Sequence, residues 1–280
     1  MTTATALKHL MSDKTITFIG GGNMARSLIN GIIQDNNAVQ LGVVDPDENQ
    51  LDAIRKNWPS VATYTDINAM VAQSDVIIFA VKPQIMQTVV EDIASLAQQY
   101  QPLCISIAAG ITEAKIATWL GGELPIVRCM PNTPALVQSG ATGLFANTYV
   151  SSEQRDLAES ILRAVGITLW LEQESLLDAV TALSGSGPAY FFLVMEAMQA
   201  AAEKMGIASA DAQLLTLQTA FGAAKLALES SDQPAQLRKN VTSKGGTTEA
   251  ALKELMDGGL VELFDTALHA AEQRAKQLAQ

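Results

Sequence analysis

The chain has 280 residues, of which 48% are hydrophobic, and its formal net charge is −11. This length allows about two domains, and the hydrophobic fraction is enough for a large core, which excludes a mainly disordered chain. The acidic excess and the lack of a long basic run argue against nucleic acid and membrane partners.

Residues 1–13 are expected to form a flexible lead-in, and the first segment, MTTATALKHLMSDK, lacks an apolar core long enough for a signal peptide. The chain has no apolar run of about 18 residues, so we expect a soluble cytoplasmic protein. Cys104 and Cys129 lie in apolar strand-like runs and are expected to be buried core thiols. His9 and His269 stand apart from every candidate catalytic group, which argues against a histidine general base.

The strongest local pattern is TITFIGGGNMA, residues 15–25. A short apolar run predicts a buried strand, and a helical pattern opens at Asn23. Between them lie Gly20 and Gly22, with Ala25 in the third position of a dinucleotide fingerprint. The first glycine allows a tight turn, the second lets the backbone approach a pyrophosphate, and the small third residue lets the helix pack on the strand. Free N–H groups at the helix start would hold the phosphates.

A second predicted strand ends at Asp45, 25 residues after Gly20. An acid at this position can accept hydrogen bonds from the adenosine ribose. Strand, glycine turn, helix and acid together predict a dinucleotide site; the alternative is that the glycines simply make a turn. Because the charge of Asp45 would repel a 2′-phosphate, we expect NADH to be used at least as well as NADPH.

From residue 15 the sequence alternates between strand and helix, which is typical of an α/β fold with a Rossmann-type, doubly wound, mostly parallel sheet. We expect this domain to span residues 14–172 and an all-α domain to span 173–280. Strands are predicted at 15–20, 41–45, 62–65, 75–80, 103–107, 126–130 and 167–171. Helices are predicted at 23–35, 47–57, 66–73, 84–99, 112–120, 153–165, 174–183, 188–205, 210–229, 235–241, 248–257 and 261–278.

The predicted helix at 188–205 is apolar on nearly every side. A helix without a polar face must be covered all round. We therefore expect a homodimer in which such helices pack across subunits, the alternative being burial within one chain.

Two regions after strand ends are candidates for cofactor contact. Lys82 follows the fourth strand, where its charge could reach a phosphate or ribose. The alternative is a solvated lysine at an ordinary strand-to-helix junction. The second region combines small residues at 107–110 with segment 128–134, which two prolines stiffen. Together they would let a nicotinamide ring lie close to the backbone; the alternative is that both are plain loops.

The segment VTSKGGTTE, residues 241–249, combines two glycines with Thr247 and Thr248. The glycines free the backbone to turn its N–H groups inward, and the threonines open a helix at its positive end. This predicts a carboxylate cradle; the alternative is a threonine-capped helix after a glycine turn.

From Thr15 onward the chain resembles the pyrroline-5-carboxylate reductase family in six motifs, which occur in the family's order: IGGGNMA, FAVKPQ, SIAAGIT, RCMPNTPA, ALSGSGPAY and VTSKGGTTEAAL. The resemblance implies a Rossmann domain, a helical dimerisation domain that binds substrate, and reduction of the cyclic imine 1-pyrroline-5-carboxylate to L-proline. It implies NADPH or NADH as cofactor and a homodimer; a higher homo-oligomer such as a decamer stays open.

By position, the resemblance also implies the site residues. Thr248 is expected to be the catalytic residue, through a hydrogen bond to the ring nitrogen, and no metal is expected. Lys244 stands where many relatives have proline, and either adds charge near the substrate carboxylate or points to solvent. Substrate contacts are implied for Ser243, Gly246, Thr247 and Thr248. Cofactor contacts are implied for Gly20, Gly21, Gly22, Asn23, Met24, Ala80, Val81, Lys82, Pro83, Ala109 and Asn240. Asp45 is added to this set because it ends the second predicted strand.

A β-hydroxyacid dehydrogenase has a similar layout, but it would need a lysine and an asparagine where this chain has Phe191 and Met195. Without those polar groups its chemistry has no acid or base, so we reject it. A non-catalytic dinucleotide-binding sensor and a reductase of a related cyclic imino acid stay as alternatives.

Overall fold

The computed structural model describes residues 11–35 and 38–279, so residues 1–10 of the predicted lead-in lie outside the described residues. Met11 is fully buried and already belongs to the folded part. By contacts, the chain divides into a first unit, Met1–Ser186 with Ala271–Gln280, and a second unit, Gly187–Ala270. The boundary predicted from the sequence lies at 172/173, whereas contacts group residues up to Ser186 with the sheet. The predicted domain limits stay a prediction.

The described part of the first unit forms one eight-stranded sheet in the order β3-β2-β1-β4-β5-β6-β7-β8. Every neighbouring pair is parallel except β6 and β7. The direction of the strand order reverses beside β1, which places the ligand crevice at the carboxyl ends of β1 and β4. The predicted Rossmann-type sheet is therefore confirmed. Its strands are β1 Thr15–Ile19, β2 Gln40–Val44, β3 Ala62–Tyr64, β4 Val76–Phe79, β5 Leu103–Ser106, β6 Ile126–Met130, β7 Gly140–Ala146 and β8 Gly166–Trp170.

Helices cover both faces of this sheet. All four residues of β4 and all four of β5 are buried, and both strands are apolar except for Ser106 at the end of β5, as expected for strands covered on both faces. Two further elements are short: a 3₁₀ turn, Thr133–Val137, and a π-helical turn, Thr181–Gly185. The α-helices up to that turn are α1 Asn23–Asp35, α2 Glu48–Asn57, α3 Asn68–Val71, α4 Pro83–Tyr100, α5 Glu113–Leu120, α6 Ser152–Arg163 and α7 Leu176–Val180.

Strand β7 was not predicted from the sequence. It contains Gly140 and Gly143, and glycine is a weak strand former. Both positions are crowded: a Cβ at Gly140 would lie 3.0 Å from the Val165 carbonyl oxygen, and one at Gly143 would lie 2.9 Å from Val180 Cγ1. Close packing thus selects the small residues that hide the strand pattern.

The second unit is all helical, as predicted. The predicted helix at 174–183 is instead α7 followed by the π-helical turn, which the Ser186 N–H closes by donating to the Thr181 carbonyl at 2.8 Å. The remaining helices are α8 Gly187–Lys204, α9 Ser209–Glu229, α10 Pro234–Asn240, α11 Thr247–Asp257 and α12 Leu260–Leu278, whose end returns to the first unit.

Helix α8 leaves large apolar side chains uncovered. Phe191, Phe192 and Leu193 are 68%, 63% and 65% exposed in the single chain. This exposure contradicts the alternative that α8 is buried within one chain. Over residues 11–35 and 38–279, no helix is at once long and apolar enough to cross a bilayer.

Candidate active site

Gly20 ends β1 at a point where no side chain fits. Its φ is +103°, and a Cβ would lie 2.6 Å from the carbonyl oxygen of Ala80. Its N–H donates to the carbonyl of Val44 at 2.8 Å, and the N–H of Ala80 donates to the carbonyl of Ile19 at 2.8 Å. The turn therefore requires glycine, because other residues rarely adopt this φ.

The next residues leave room for an anion. Within the described structure, no atom lies within 4 Å of a Cβ built at Gly22, and no hydrogen bond is made by the N–H groups of Gly22, Asn23 or Met24. These N–H groups begin α1, a helix of 13 residues without an acidic residue in its first turn. An unpaired N–H cluster at a helix start suits a phosphate, so these residues fit the pyrophosphate of a dinucleotide.

Asp45, after β2, is held beside the glycine turn. One carboxylate oxygen accepts from the N–H of Gly21 at 2.7 Å, and the other accepts from the N–H of Asp47 at 2.9 Å. The carboxylate thus has a fixed orientation, and each oxygen keeps acceptor capacity for a ribose hydroxyl.

The arginines of the two flanking helices are already engaged. Arg26 in α1 donates to the side-chain oxygen of Gln50 at 2.7 Å. Arg55 in α2 pairs with Glu48 at 3.0 Å and Asp52 at 2.8 Å. Both guanidinium groups thus have partners, and the turn after β2 stays acidic.

Two further strand ends complete this edge of the sheet. Residues 80–83 follow β4, with Val81 against the glycine turn and Pro83 as the first residue of α4. Lys82 is exposed, and no ion pair with it is found in the part of the chain that the structure describes. Ala109 follows β5, directly before Gly110, whose φ is +75°.

A buried ion pair supports the loop that carries Ala109. Arg128, whose side chain is 9% exposed, pairs with Glu174 at 2.5 Å. The same Glu174 oxygen accepts from the N–H of Glu113, the first residue of α5, at 2.6 Å. Asn147 donates to the Glu113 carboxylate at 2.8 Å. Glu174 therefore joins β6 to the helix that follows the Ala109 loop. The role of Glu174 was not predicted from the sequence, because both of its partners are distant along the chain.

Neither cysteine is suited to catalysis. Burial raises the pKa of Cys104 to about 12, and it raises the pKa of Cys129 despite the nearby Arg128 charge. Both thiols are therefore protonated core groups, as expected. Among the described residues, no cluster of His, Cys, Asp or Glu could hold a metal ion.

In the second unit, a glycine turn leads into α11. Gly245 has φ +71°, and its N–H donates to the Glu249 carboxylate at 2.7 Å. A Cβ at Gly246 would lie 2.7 Å from Ser243 Oγ, so this hydroxyl lies directly against the helix start. The turn thus places Ser243 beside the first residues of the helix.

The start of α11 is open. Gly246 is its N-cap and offers no side-chain acceptor, and in the described ranges no hydrogen bond is made by the N–H groups of Thr247 and Thr248. Two free N–H groups and the positive end of the helix dipole can hold a carboxylate. Lys244 beside them is exposed.

Asn240 ends α10, and its amide is engaged within the second unit. It accepts from Gln236 at 2.7 Å and donates to Asp232 at 3.2 Å. The first unit thus brings the glycine turn, Asp45, residues 80–83 and Ala109 to one sheet edge. The second unit brings Ser243, Gly246, Thr247 and Thr248 to one turn. Their assigned roles stay predictions.

Two family models match the chain. The model described as pyrroline-5-carboxylate reductase dimerisation matches residues 174–278, and the model described as NADP oxidoreductase, coenzyme F420-dependent, matches residues 15–110. The chain is 49% identical to the pyrroline-5-carboxylate reductase of Pseudomonas aeruginosa over 96% of this chain and 98% of that protein. It is 43% identical to the Pasteurella multocida enzyme over 96% and 98%.

Solved structures are similar throughout. A pyrroline-5-carboxylate reductase from Coxiella burnetii superposes with a TM-score of 0.91 at 47% identity, over 95% of this chain and 99% of that one. The Plasmodium falciparum pyrroline carboxylate reductase, solved with NADP bound, has a TM-score of 0.84 at 29% identity, over 96% and 100%. The likeness covers both units.

The two glycines of the fingerprint should respond differently to alanine. We expect Gly20→Ala to lower the free energy of unfolding by at least about 2 kcal/mol, because Cβ meets the Ala80 carbonyl at a positive φ. Gly22→Ala has open space and should keep the stability but weaken dinucleotide binding about tenfold or more, because the methyl group enters the phosphate position. Thermal unfolding and fluorescence titration with NADH measure the two effects. Equal effects of both variants on stability would contradict the prediction.

The Arg128–Glu174 pair should contribute to stability through burial. We expect Arg128→Met to lower the unfolding free energy by about 3 kcal/mol, because it leaves a partly buried carboxylate without its partner. The matched control is Arg163→Met, because Arg163 pairs with a similarly buried carboxylate, Glu159, but is itself 49% exposed; this variant should cost about 0.5 kcal/mol. Urea unfolding at one fixed protein concentration measures both. Similar losses would show that burial of the pair is unimportant.

Proposed function

The chain belongs to the pyrroline-5-carboxylate reductase family, and on that premise we propose that it reduces 1-pyrroline-5-carboxylate to L-proline, the last step of proline biosynthesis. The enzyme is an oxidoreductase that forms a CH–NH group, with NADPH or NADH as cofactor. The single observation in the structure that carries the proposal is the open start of α11. Two N–H groups and two threonine hydroxyls lie there, and groups of this kind suit a substrate that bears a carboxylate.

The chemistry needs little acid–base help from the protein. When bound, the nicotinamide cofactor supplies a hydride for the carbon of the C=N bond. A protonated iminium accepts this hydride as the electron pair of the double bond moves to nitrogen, so no strong acid is required at the site. The protein instead has to orient the ring and neutralise its carboxylate. This agrees with a site built from N–H groups and hydroxyls rather than from histidine.

Each candidate residue then has a defined task. The N–H groups of Thr247 and Thr248 hold the substrate carboxylate, and Ser243 Oγ adds a donor beside Gly246. The Thr248 hydroxyl hydrogen-bonds to the ring nitrogen and orients the ring, and after hydride transfer it relays a proton from solvent to the product amine. At the sheet edge, the N–H groups of the glycine turn hold the pyrophosphate and Asp45 holds the ribose.

Assembly is part of the proposal. The dimerisation segment at 174–278 makes the chain a homo-oligomer, and we propose a homodimer as its basic form. Association into a decamer is the finer proposal, which light scattering tests directly. A cytoplasmic location, expected from the sequence, completes the proposal.

The reaction is tested by cofactor oxidation with racemic 1-pyrroline-5-carboxylate. We expect turnover in wild type and a loss of at least about a hundredfold in kcat/KM for Thr248→Val and Thr248→Ala, because both remove the hydroxyl. Thr266→Val is the matched control: it removes a threonine hydroxyl of α12 that donates to the Glu262 carbonyl at 2.8 Å within the same helix, and it should keep full activity.

Other results would change the assignment. Dinucleotide binding without turnover of any cyclic imine would replace the reductase by a non-catalytic sensor. Turnover of a six-membered imine alone would make the chain a reductase of a related imino acid. Full activity in both Thr248 variants would remove Thr248 from the chemistry.

Cofactor choice should depend on Asp45. We expect wild type to have a kcat/KM for NADH at least equal to that for NADPH, because the carboxylate repels a 2′-phosphate and the flanking arginines are engaged. Asp45→Asn should shift the ratio about tenfold towards NADPH. Asp92→Asn, an exposed acid of α4, is the control for net charge and should leave the ratio unchanged. A wild-type preference for NADPH would contradict the prediction.

A further inference from the structure

The last turns of α12 pack on the first unit. Residues 271–279, which we call the α12 end, belong to that unit by contacts, and Ala275 is only 7% exposed. The side chain of Lys115, in the first turn of α5, donates to the carbonyl of Ala279 at 2.8 Å. The last carbonyls of a helix have no partner within it, and a lysine beside them is stabilising. Lys115 therefore fixes the α12 end to the start of α5.

The α12 end also lies against residues 107–112, which we call the β5–α5 turn. A Cβ at Gly110 would lie 3.1 Å from the carbonyl oxygen of Leu278 and 3.3 Å from its Cβ. The φ of Gly110 is +75°, so both the backbone conformation and the closeness of α12 select glycine here. Contacts at Gly110 and at Lys115 thus hold the turn against the α12 end.

Hydrogen bonds fix both ends of the β5–α5 turn. At its start, the N–H of Ile107 donates to the carbonyl of Phe79 at 3.2 Å. Directly after its end, the N–H of Glu113 donates to Glu174 at 2.6 Å. Ala109 lies between these two anchors, next to the glycine that meets Leu278. The α12 end therefore supports the middle of the turn, where Ala109 lies.

The place of β5 in the sheet indicates which part of a dinucleotide this turn would meet. The glycine turn and Asp45 follow β1 and β2, in the half of the sheet whose features suit the pyrophosphate and the adenosine ribose. Strand β5 lies on the other side of β1, beyond β4, in the half that receives the second nucleotide. The β5–α5 turn therefore lies on the nicotinamide side.

We propose that the α12 end is a positioning element for the nicotinamide half of the cofactor, acting through the β5–α5 turn. This role rests on the proposed function, which assigns a cofactor contact to Ala109. Lys115 and Leu278 hold the turn and do not meet the reacting atoms, so they are positioning residues. Without them Ala109 moves and nicotinamide binding weakens, whereas the pyrophosphate and adenosine contacts keep their geometry.

A comparison of two ligands tests this division. ADP-ribose carries the adenosine and the pyrophosphate but lacks the nicotinamide. We expect Lys115→Met, and a chain that lacks residues 278–280, to raise the dissociation constant for NADH about tenfold and to leave that for ADP-ribose within about twofold. Leu278 is 57% exposed, so the shortened chain keeps its core. Isothermal titration calorimetry measures both constants.

Two variants serve as controls. Lys115→Arg keeps a charged donor and should bind both ligands like wild type. Lys276→Met removes a lysine of the α12 end that pairs with Glu272 on its own helix at 2.7 Å, and it should also leave both constants unchanged.

The outcomes separate this role from the proposed function. Lys115→Met and the shortened chain would overturn the role if they bind NADH like wild type. Equal weakening of both ligands would also overturn it, because general loss of structure affects both. If wild type itself binds NADH no more tightly than ADP-ribose, the nicotinamide contact assigned to Ala109 fails, and the positioning role fails with it.

Amide hydrogen exchange gives a measurement that needs no ligand and no turnover. We expect a peptide covering the β5–α5 turn to exchange at least about tenfold faster in the chain that lacks residues 278–280, because the turn has lost its support. A peptide covering residues 15–25 is the internal control and should exchange as in wild type. Equal exchange of the turn in both proteins would overturn the proposal.

Discussion

The close approach of three strand ends at Gly20 is the constraint on which both the sheet and the candidate cofactor site depend. Gly20 donates to β2, Ala80 after β4 donates to β1, and the space left for a Cβ is only 2.6 Å from the Ala80 carbonyl oxygen. Because ladder hydrogen bonds fix this separation, the chain must leave β1 with a positive φ. The first N–H groups of α1 follow directly and make no hydrogen bond in the described residues, so the packing that closes the sheet also positions the candidate anion site.

The parts that could be predicted from the sequence are those whose cause is local. Strands β4 and β5 are buried on both faces and are therefore almost entirely apolar, and the start of α11 is marked by two glycines and two threonines. Strand β7 was missed because its glycines are selected by packing against Val165 and Val180, not by strand preference. Glu174 was missed because its partners lie 46 and 61 residues away, and no local pattern records such a contact.

Exposed apolar surface links the stability of the second unit to assembly. In the single chain, α8 leaves Phe191 and Leu193 about two-thirds exposed, and α9 leaves Leu214 66% exposed. Surface of this kind weakens a soluble unit unless another apolar surface covers it. We therefore expect the stability of the helical unit to depend on protein concentration.

An acidic chain that binds anionic ligands must attract them locally. The net charge of −11 repels a phosphate or carboxylate at long range, but salt screens exposed charges beyond about 8–10 Å. Within that distance, the open starts of α1 and α11 offer N–H groups whose position is fixed by the helix, so little ordering is lost when an anion binds. Backbone donors also leave Asp45 free to act by charge: we expect its carboxylate to accept a hydrogen bond from a ribose hydroxyl and to repel a further phosphate. On this expectation, recognition by the backbone and rejection by a side chain are separate functions of the same sheet edge.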